Sequence, residues 1–483
     1  MSSNSILTKF KEIWAINHAI RLMGWDIETY MPPEGISYRA EEMATLNSLR
    51  RRKLLEIKGE LDNLDPKNDI EAGIKRVLGR EIKYIESIPE EIDMEINKLT
   101  AESAVVWRNA RLKNDFSSFK PYLERIVELK AKVAQLLGYN DHPYSSLLDL
   151  YEEGLTVKEA DDIFGSLLPS LKRVLQKVEA EGRFTTSSEL ENEPYSREIM
   201  EKIVNEIAYD ILKMPTSKFR IDLSAHPFTT GINRHDVRIT TRYEGFDFKR
   251  ALYSLIHESG HAIYELQIDE ALEFTPIAEA PSFGIHESQS RFWENNIGRS
   301  KDFVELIYPR IKPLVKEKGV EEIYRYFNAV TLQPIRVDAD ELTYNFHIAV
   351  RYFAEKKLID GSLSVNELPE FFDETLENYL GIRPKSYSEG VLQDIHWSHG
   401  SFGYFPSYTI GNMVAAVVYH HMNLGEGVIK GGRIDVVKGW LREKIHKFGA
   451  TYPPKELLRR SFGEDYNPAR LVEYLENKYI GTK

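Results

Sequence analysis

Residues 257–261 read His-Glu-Ser-Gly-His. At about 100° per residue, two histidines four apart return to one helical face, so both imidazoles can reach one ion at ~2 Å. The Glu after the first His then lies beside an open coordination position, where it can take a proton from a polarised water. Leu252, Leu255, Ile256, Ala262, Ile263 and Leu266 surround the motif and place it on an apolar helix. With 13 His in 483 residues, a chance match arises in on the order of one such chain in thirty, and usually on an exposed charged helix. Gly260 adds weight, because a mid-helix Gly costs up to ~1 kcal/mol against Ala and needs a local reason. The chemistry indicated is hydrolysis by a metal-activated water, with His257 and His261 as ligands and Glu258 as general base.

Such a site needs a third protein ligand and an open position. The segment GIHESQSRFWENNIG, residues 284–298, supplies candidates. Glu287, 26 residues after His261, would present its carboxylate from the first turn of a second helix, set off by Pro281 and Gly284. By spacing alone, His286 and Glu294 compete with it.

The elements that must position these groups are mostly helical. Apolar residues recur at three- and four-residue steps over 5–30, 38–60, 70–115 and 117–138, and again in many segments after residue 248. One region breaks the pattern. The alternating, β-branched run Val237–Tyr243 predicts a strand, and Phe219–Leu223 could pair near it. The expected fold is mainly α, with a small β element near residues 219–243 just ahead of the metal motif.

Composition limits the rest. Hydrophobic residues at 42% and charged residues at 29% suit a folded protein. A net charge of −12 argues against general nucleic-acid binding. Cysteine is absent, which removes disulfides, thiol nucleophiles and Cys-based metal sites. The first residues mix apolar and charged types at helical spacing, unlike a signal peptide. No stretch approaches the ~18 apolar residues of a membrane span. The default location is the cytoplasm.

The ordered blocks His226-Pro227-Phe228, Asp236-Val237-Arg238-Ile239-Thr240, His257–His261 and His286-Glu287-Ser288-Gln289 resemble those of a known family. So do Ile335–Asp340, Gly390–Trp397 and Trp25–Pro33. The family is the thermostable carboxypeptidase Taq type of HExxH metallocarboxypeptidases, and the likeness runs from about residue 10 to the C-terminus. It implies one elongated helical body with a deep groove, a single domain over residues 1–483. Residues 1–212 would form a helical wall, 213–415 the metal and substrate site, and 416–483 the C-terminal helices. It further implies Glu287 as third ligand, one divalent ion per chain (Zn2+ first, Co2+ as the alternative), release of single residues from peptide C-termini, and a homodimer.

A carboxypeptidase must grip a terminal carboxylate, which a guanidinium does with paired hydrogen bonds. Arg336 is the favoured residue and Arg238 the second. The competing reading pairs Arg336 with Asp340 and Arg238 with Asp236. Gln393, from the same blocks, is a further substrate contact. Tyr408 and His396 are candidates for stabilising the tetrahedral oxyanion. His226 is expected to order the β element. The strand Val237–Tyr243 is expected to pair with the substrate backbone, which predicts broad specificity. The rival readings are an oligopeptidase or dipeptidyl carboxypeptidase, a catalytically silent peptide-binding scaffold, and a metal-storage protein.

Overall fold

In the computed structural model, residues 3–425 and 427–481 are described; residues 1, 2, 426, 482 and 483 of the expected domain lie outside them. The fold is mainly α, with one three-stranded sheet among the described residues. The helical periodicity becomes the long helices Ser3–Thr29, Ile36–Asp62 and Phe116–Leu137. The stretch 70–115 is two helices, Asp69–Ser87 and Glu90–Lys113. The break has a local cause. Pro89 drives Ile88 out of the helical region and itself caps the second helix with ψ 141°.

The sheet contains β1 (Phe219–Leu223), β2 (Thr229–Asn233) and β3 (Asp236–Thr241) in the order β1-β3-β2. β1 runs parallel to β3, with Phe219 opposite Val237. β2 runs antiparallel to it, with Thr229 opposite Ile239 and an irregularity between Gly231 and Asn233. This corrects one expectation. β3 is the central strand and both of its edges are used, so it has no edge to offer a peptide. β2 is an edge strand, although the Arg21 guanidinium already donates to its Gly231 carbonyl at 3.1 Å. His226 is exposed and lies between β1 and β2, where its carbonyl accepts from the Ser224 hydroxyl at 2.5 Å.

The chain divides into two compact units, each assembled from three separate segments. The first comprises Met1–Lys83, Ser188–Phe327 and Ala415–Tyr466. At its centre the helix Phe248–Gln267 packs on β2, β3 and the helix Phe283–Arg291. Leu252, Leu255, Ile256, Ala262 and Ile263 are fully buried, each larger side chain stabilising by roughly 1.5–3 kcal/mol as an upper figure. Leu266 is only half-buried. The second unit comprises Tyr84–Ser187, Asn328–Val414 and Asn467–Lys483. Its central helix Tyr344–Asp360 is buried on nearly every side, against the helices Phe116–Leu137, Pro143–Asp149, Val157–Glu181 and Leu368–Leu380. No helix among the described residues is long and apolar enough to cross a membrane.

Candidate active site

The apolar face of Phe248–Gln267 is anchored in the first unit, which turns His257 and His261 toward the helix Phe283–Arg291. Ser282 caps that second helix by accepting from the Ile285 amide at 3.1 Å. Glu287, on its first turns, brings Oε2 to 3.8 Å from His257 Nε2 and 3.5 Å from His261 Nε2. One ligand atom from each of the three residues lies within 4.8 Å of the others. Bonds of ~2.0–2.2 Å in tetrahedral array require separations near these, so the three donors fit a zinc-type ion with one position left for water.

The two competitors have other places. Glu294 lies behind His257, its Oε2 2.9 Å from Nδ1. That contact fixes the ring so that Nε2 faces Glu287. Here the helix continues as a π-helical turn, Phe292–Gly298, a distortion often found at functional sites. His286 is turned to Glu265, with Nε2 2.8 Å from Oε1, and its ring stacks on His261 at 4.4 Å.

The electrostatics suit a cation. Burial alone would raise the Glu287 carboxyl, but Arg291 and His257 hold it far below the usual range, and Arg291 Nε donates to Oε1 at 2.7 Å. Burial would also raise Glu294, yet Arg291, His257 and Arg299 bring it down to about 2. Burial and the neighbouring His286 keep His261 neutral, its pKa lowered to about 3. Burial pulls His257 down too, but the Glu287 and Glu294 carboxylates outweigh it and raise the ring. Neutral imidazole and ionised carboxylate are the forms that ligate metal.

Glu258 projects from the same helix and is buried, with 8% of its surface exposed. Burial raises its pKa, while His257 and a hydrogen bond from Thr229 lower it. The Thr229 hydroxyl, on β2, sits 2.6 Å from Glu258 Oε2. A carboxylate lifted toward neutrality in this way is suited to take and return a proton.

The remaining candidates lie in other settings. Arg238 places two nitrogens on Asp236, both at 2.7 Å, and stacks over Trp25 at 4.5 Å, the geometry of a structural ion pair. Arg336 is not paired with Asp340, which instead accepts from the Thr331, Leu342 and Thr343 amides. Its partner is Asp394, met by Nε at 2.8 Å and Nη2 at 2.7 Å, while Nη1 donates to the Tyr344 hydroxyl at 2.9 Å. Arg351 takes the other oxygen of Asp394 with two nitrogens, at 2.8 and 2.6 Å. The Gln393 amide is engaged on backbone: its oxygen accepts from the Arg336 amide, and its nitrogen donates to the Pro334 and Glu389 carbonyls. His396 Nε2 lies 3.1 Å from the Tyr408 hydroxyl, and the Arg336 guanidinium stands 5.2 Å over the Tyr408 ring. Burial, then Arg336, lowers His396 to about 3, so this imidazole is neutral. The metal triad and Glu258 belong to the first unit, and the Arg336, Gln393, His396 and Tyr408 group to the second.

Sequence reasoning overlooked Thr229, Arg291, Asp394 and Arg351. Asp394 stood in a quoted block, and Arg291 lies four residues after Glu287, so both left a faint signal. Thr229 and Arg351 left none.

Two histidines and a carboxylate make a candidate site for a divalent ion, with a buried glutamate beside it, an arrangement suited to metal-dependent hydrolysis. The carboxypeptidase Taq (M32) metallopeptidase pattern matches residues 5–479. Thermostable carboxypeptidase 1 of Pyrococcus furiosus is 46% identical, with 98% of each chain covered. Carboxypeptidase 1 of Bacillus subtilis is 38% identical over 97% of this chain and 96% of its own. The structure of the Pyrococcus furiosus carboxypeptidase described as apo-Mg superposes with a TM-score of 0.95 at 45% identity, over 99% of this chain and 98% of that one. The chain belongs to the carboxypeptidase Taq (M32) metallopeptidase family, and it is a peptide hydrolase of the carboxypeptidase type.

Proposed function

We propose that the protein removes single amino acids from peptide C-termini with broad specificity, using one ion held by His257, His261 and Glu287. The observation that carries this reading is the convergence of the three donors beside Glu258. When bound, a divalent ion polarises water and the scissile carbonyl. Glu258 accepts the proton of the attacking water and returns it to the leaving nitrogen. Thr229 holds the receiving oxygen in place. Arg336 is assigned the terminal carboxylate, its orientation set by Asp394 and Tyr344. Tyr408, hydrogen-bonded to neutral His396, is assigned the developing oxyanion. Arg238 and Gln393 are assigned supporting roles, since their polar atoms are engaged within the protein. The N/O donor set suits Zn2+ and tolerates Co2+. A homodimer in the cytoplasm, acting on peptides, completes the reading; sedimentation of the metal-loaded protein tests the dimer.

The test is mass spectrometry of an N-acetylated peptide incubated with metal-loaded protein, beside Glu258→Gln. A ladder of single-residue losses, lower in the variant by about 10²–10⁴-fold, is expected. Dipeptide losses or internal cuts would transfer the protein to the dipeptidyl carboxypeptidase or oligopeptidase reading. A tight preference for one terminal side chain would refute broad specificity.

A further inference from the structure

The helix Tyr344–Asp360 carries a polar stripe through the core of the second unit. His347, Arg351 and Glu355, four residues apart, are all fully buried. Arg351 is matched by Asp394. Among the described residues, no cation forms an ion pair with Glu355. Its Oε1 accepts from the Trp397 indole at 2.8 Å, and its Oε2 accepts from the Gly403 amide at 2.8 Å and from the Tyr144 hydroxyl. A buried carboxylate met only by neutral donors is costly, and a core that needed stability alone would be better served by an apolar side chain. The groups it binds locate its purpose. Trp397 follows His396 directly, and Gly403 opens the turn through Tyr404 and Phe405 to Tyr408.

Between those two anchors the chain loops on its own hydrogen bonds, Gly400 N–H to the Trp397 carbonyl and Ser401 N–H to the His396 carbonyl. Gly403 holds φ at +96°, and a Cβ there would stand 2.4 Å from the Leu147 carbonyl oxygen. Its amide is thus aimed at Glu355 by a conformation and a closeness that require glycine. We propose that Glu355 is a positioning residue whose ionised carboxylate clamps the loop 397–403 at both ends and so sets His396 and Tyr408 for the reaction. The proposal rests on the reading that those two residues act on the substrate.

The clamp carries its own pH dependence. The charged and titratable groups facing Glu355 are Tyr144 and Tyr151 from the preceding segments and Arg351 from its own helix. Burial raises its pKa to about 7, opposed by the Gly403, Tyr144 and Trp397 hydrogen bonds and by Arg351. Protonation removes the charge that strengthens all three hydrogen bonds, and on Oε2, which already accepts from Gly403 and Tyr144, it also displaces a donor, so the clamp loosens as pH falls below 7. Stability runs the other way. A carboxyl whose folded pKa lies above its ordinary value favours folding most at low pH, and that contribution is lost as pH rises from about 4.5 to about 7. Activity through the clamp therefore rises over the range in which this group's stabilisation declines.

The experiment compares metal-loaded wild type with Glu355→Gln, Trp397→Phe, Tyr408→Phe and His396→Ala, measuring metal content, melting temperature and the pH profiles of kcat and KM. In Glu355→Gln, kcat is expected to fall about tenfold or more, with little change in KM, full metal content and an unchanged or higher melting temperature at pH 8. The ionisation near 7 should vanish from the kcat profile. Trp397→Phe removes one donor from the ionised form and should move that ionisation to higher pH, which keeps the idea testable if the first variant does not fold. Wild-type kcat and pH profile in both Glu355→Gln and Trp397→Phe would overturn the clamp, as would a loss of kcat that merely tracks lost metal or a lowered melting temperature. If Tyr408→Phe and His396→Ala both keep wild-type kcat, the roles given to those residues fall, and the clamp with them. If either loses kcat while Glu355→Gln does not, the clamp alone falls.

Discussion

Gly260→Ala should disable the metal site from within the helix that carries it. Gly260 lies three residues after His257 and directly before His261, where the helix Phe248–Gln267 crosses Phe283–Arg291. A Cβ there would stand 2.7 Å from the Gln289 carbonyl oxygen, 2.7 Å from Ser290 Cα and 3.1 Å from the Gln289 carbonyl carbon. Ordinary contact distances are about 3.5–4.0 Å, so the helices must part by about 1 Å, and the obstacle is backbone rather than a movable side chain. Ala favours an isolated helix by up to ~1 kcal/mol over Gly. Overpacking costs roughly 1–3 kcal/mol, so a net destabilisation of up to about 2 kcal/mol is expected. Glu287 sits two residues before Gln289 and moves with it. A metal bond tolerates only about 0.2 Å, so affinity should drop about tenfold or more. Chelator competition measures that affinity, and melting of metal-free and metal-loaded protein measures the rest. Gly59→Ala is the control, since Gly59 is helical and exposed with nothing near its Cβ position, and it should be neutral or stabilising. Metal affinity within threefold of wild type, with an unchanged or raised melting temperature, would refute the reasoning.

Other perturbations follow from the same contacts. Glu294→Gln weakens the group that orients His257, and chelator competition should show metal affinity lower by about 10–100-fold. Thr229→Val removes a hydrogen bond that favours ionised Glu258; the base pKa should rise, moving the acid limb of kcat/KM to higher pH by up to about one unit. Arg336→Lys cannot span Asp394 and Tyr344 together, so KM for peptides should rise by about tenfold while the penalty for a C-terminal amide shrinks. An unchanged preference for free acid over amide in that variant would remove Arg336 from carboxylate recognition.

Spacing along the chain was enough for the helical character and for the face on which His257, Glu258 and His261 stand, because a 3.6-residue repeat acts within one element. The break at Pro89 inside the stretch 70–115 came only with the structure. The sequence also marked Gly260 as needing a reason. Spacing left Glu287, His286 and Glu294 open, because a third ligand depends on how two helices cross, and that crossing is set by the close approach at Gly260 against Gln289 and Ser290. β2 escaped notice since Thr-Thr-Gly-Ile-Asn has weak strand character alone, and only pairing with β3 makes it extended. The same pairing made β3 the central strand, against expectation. The competing reading of Arg336 paired it with Asp340, four residues on, yet the carboxylate it meets is Asp394, 58 residues away. Gathering Arg336, Arg351 and Asp394 in one buried cluster depends on the tertiary fold, because the stability of a buried charge depends on which segments the fold brings around it rather than on its neighbours in the chain.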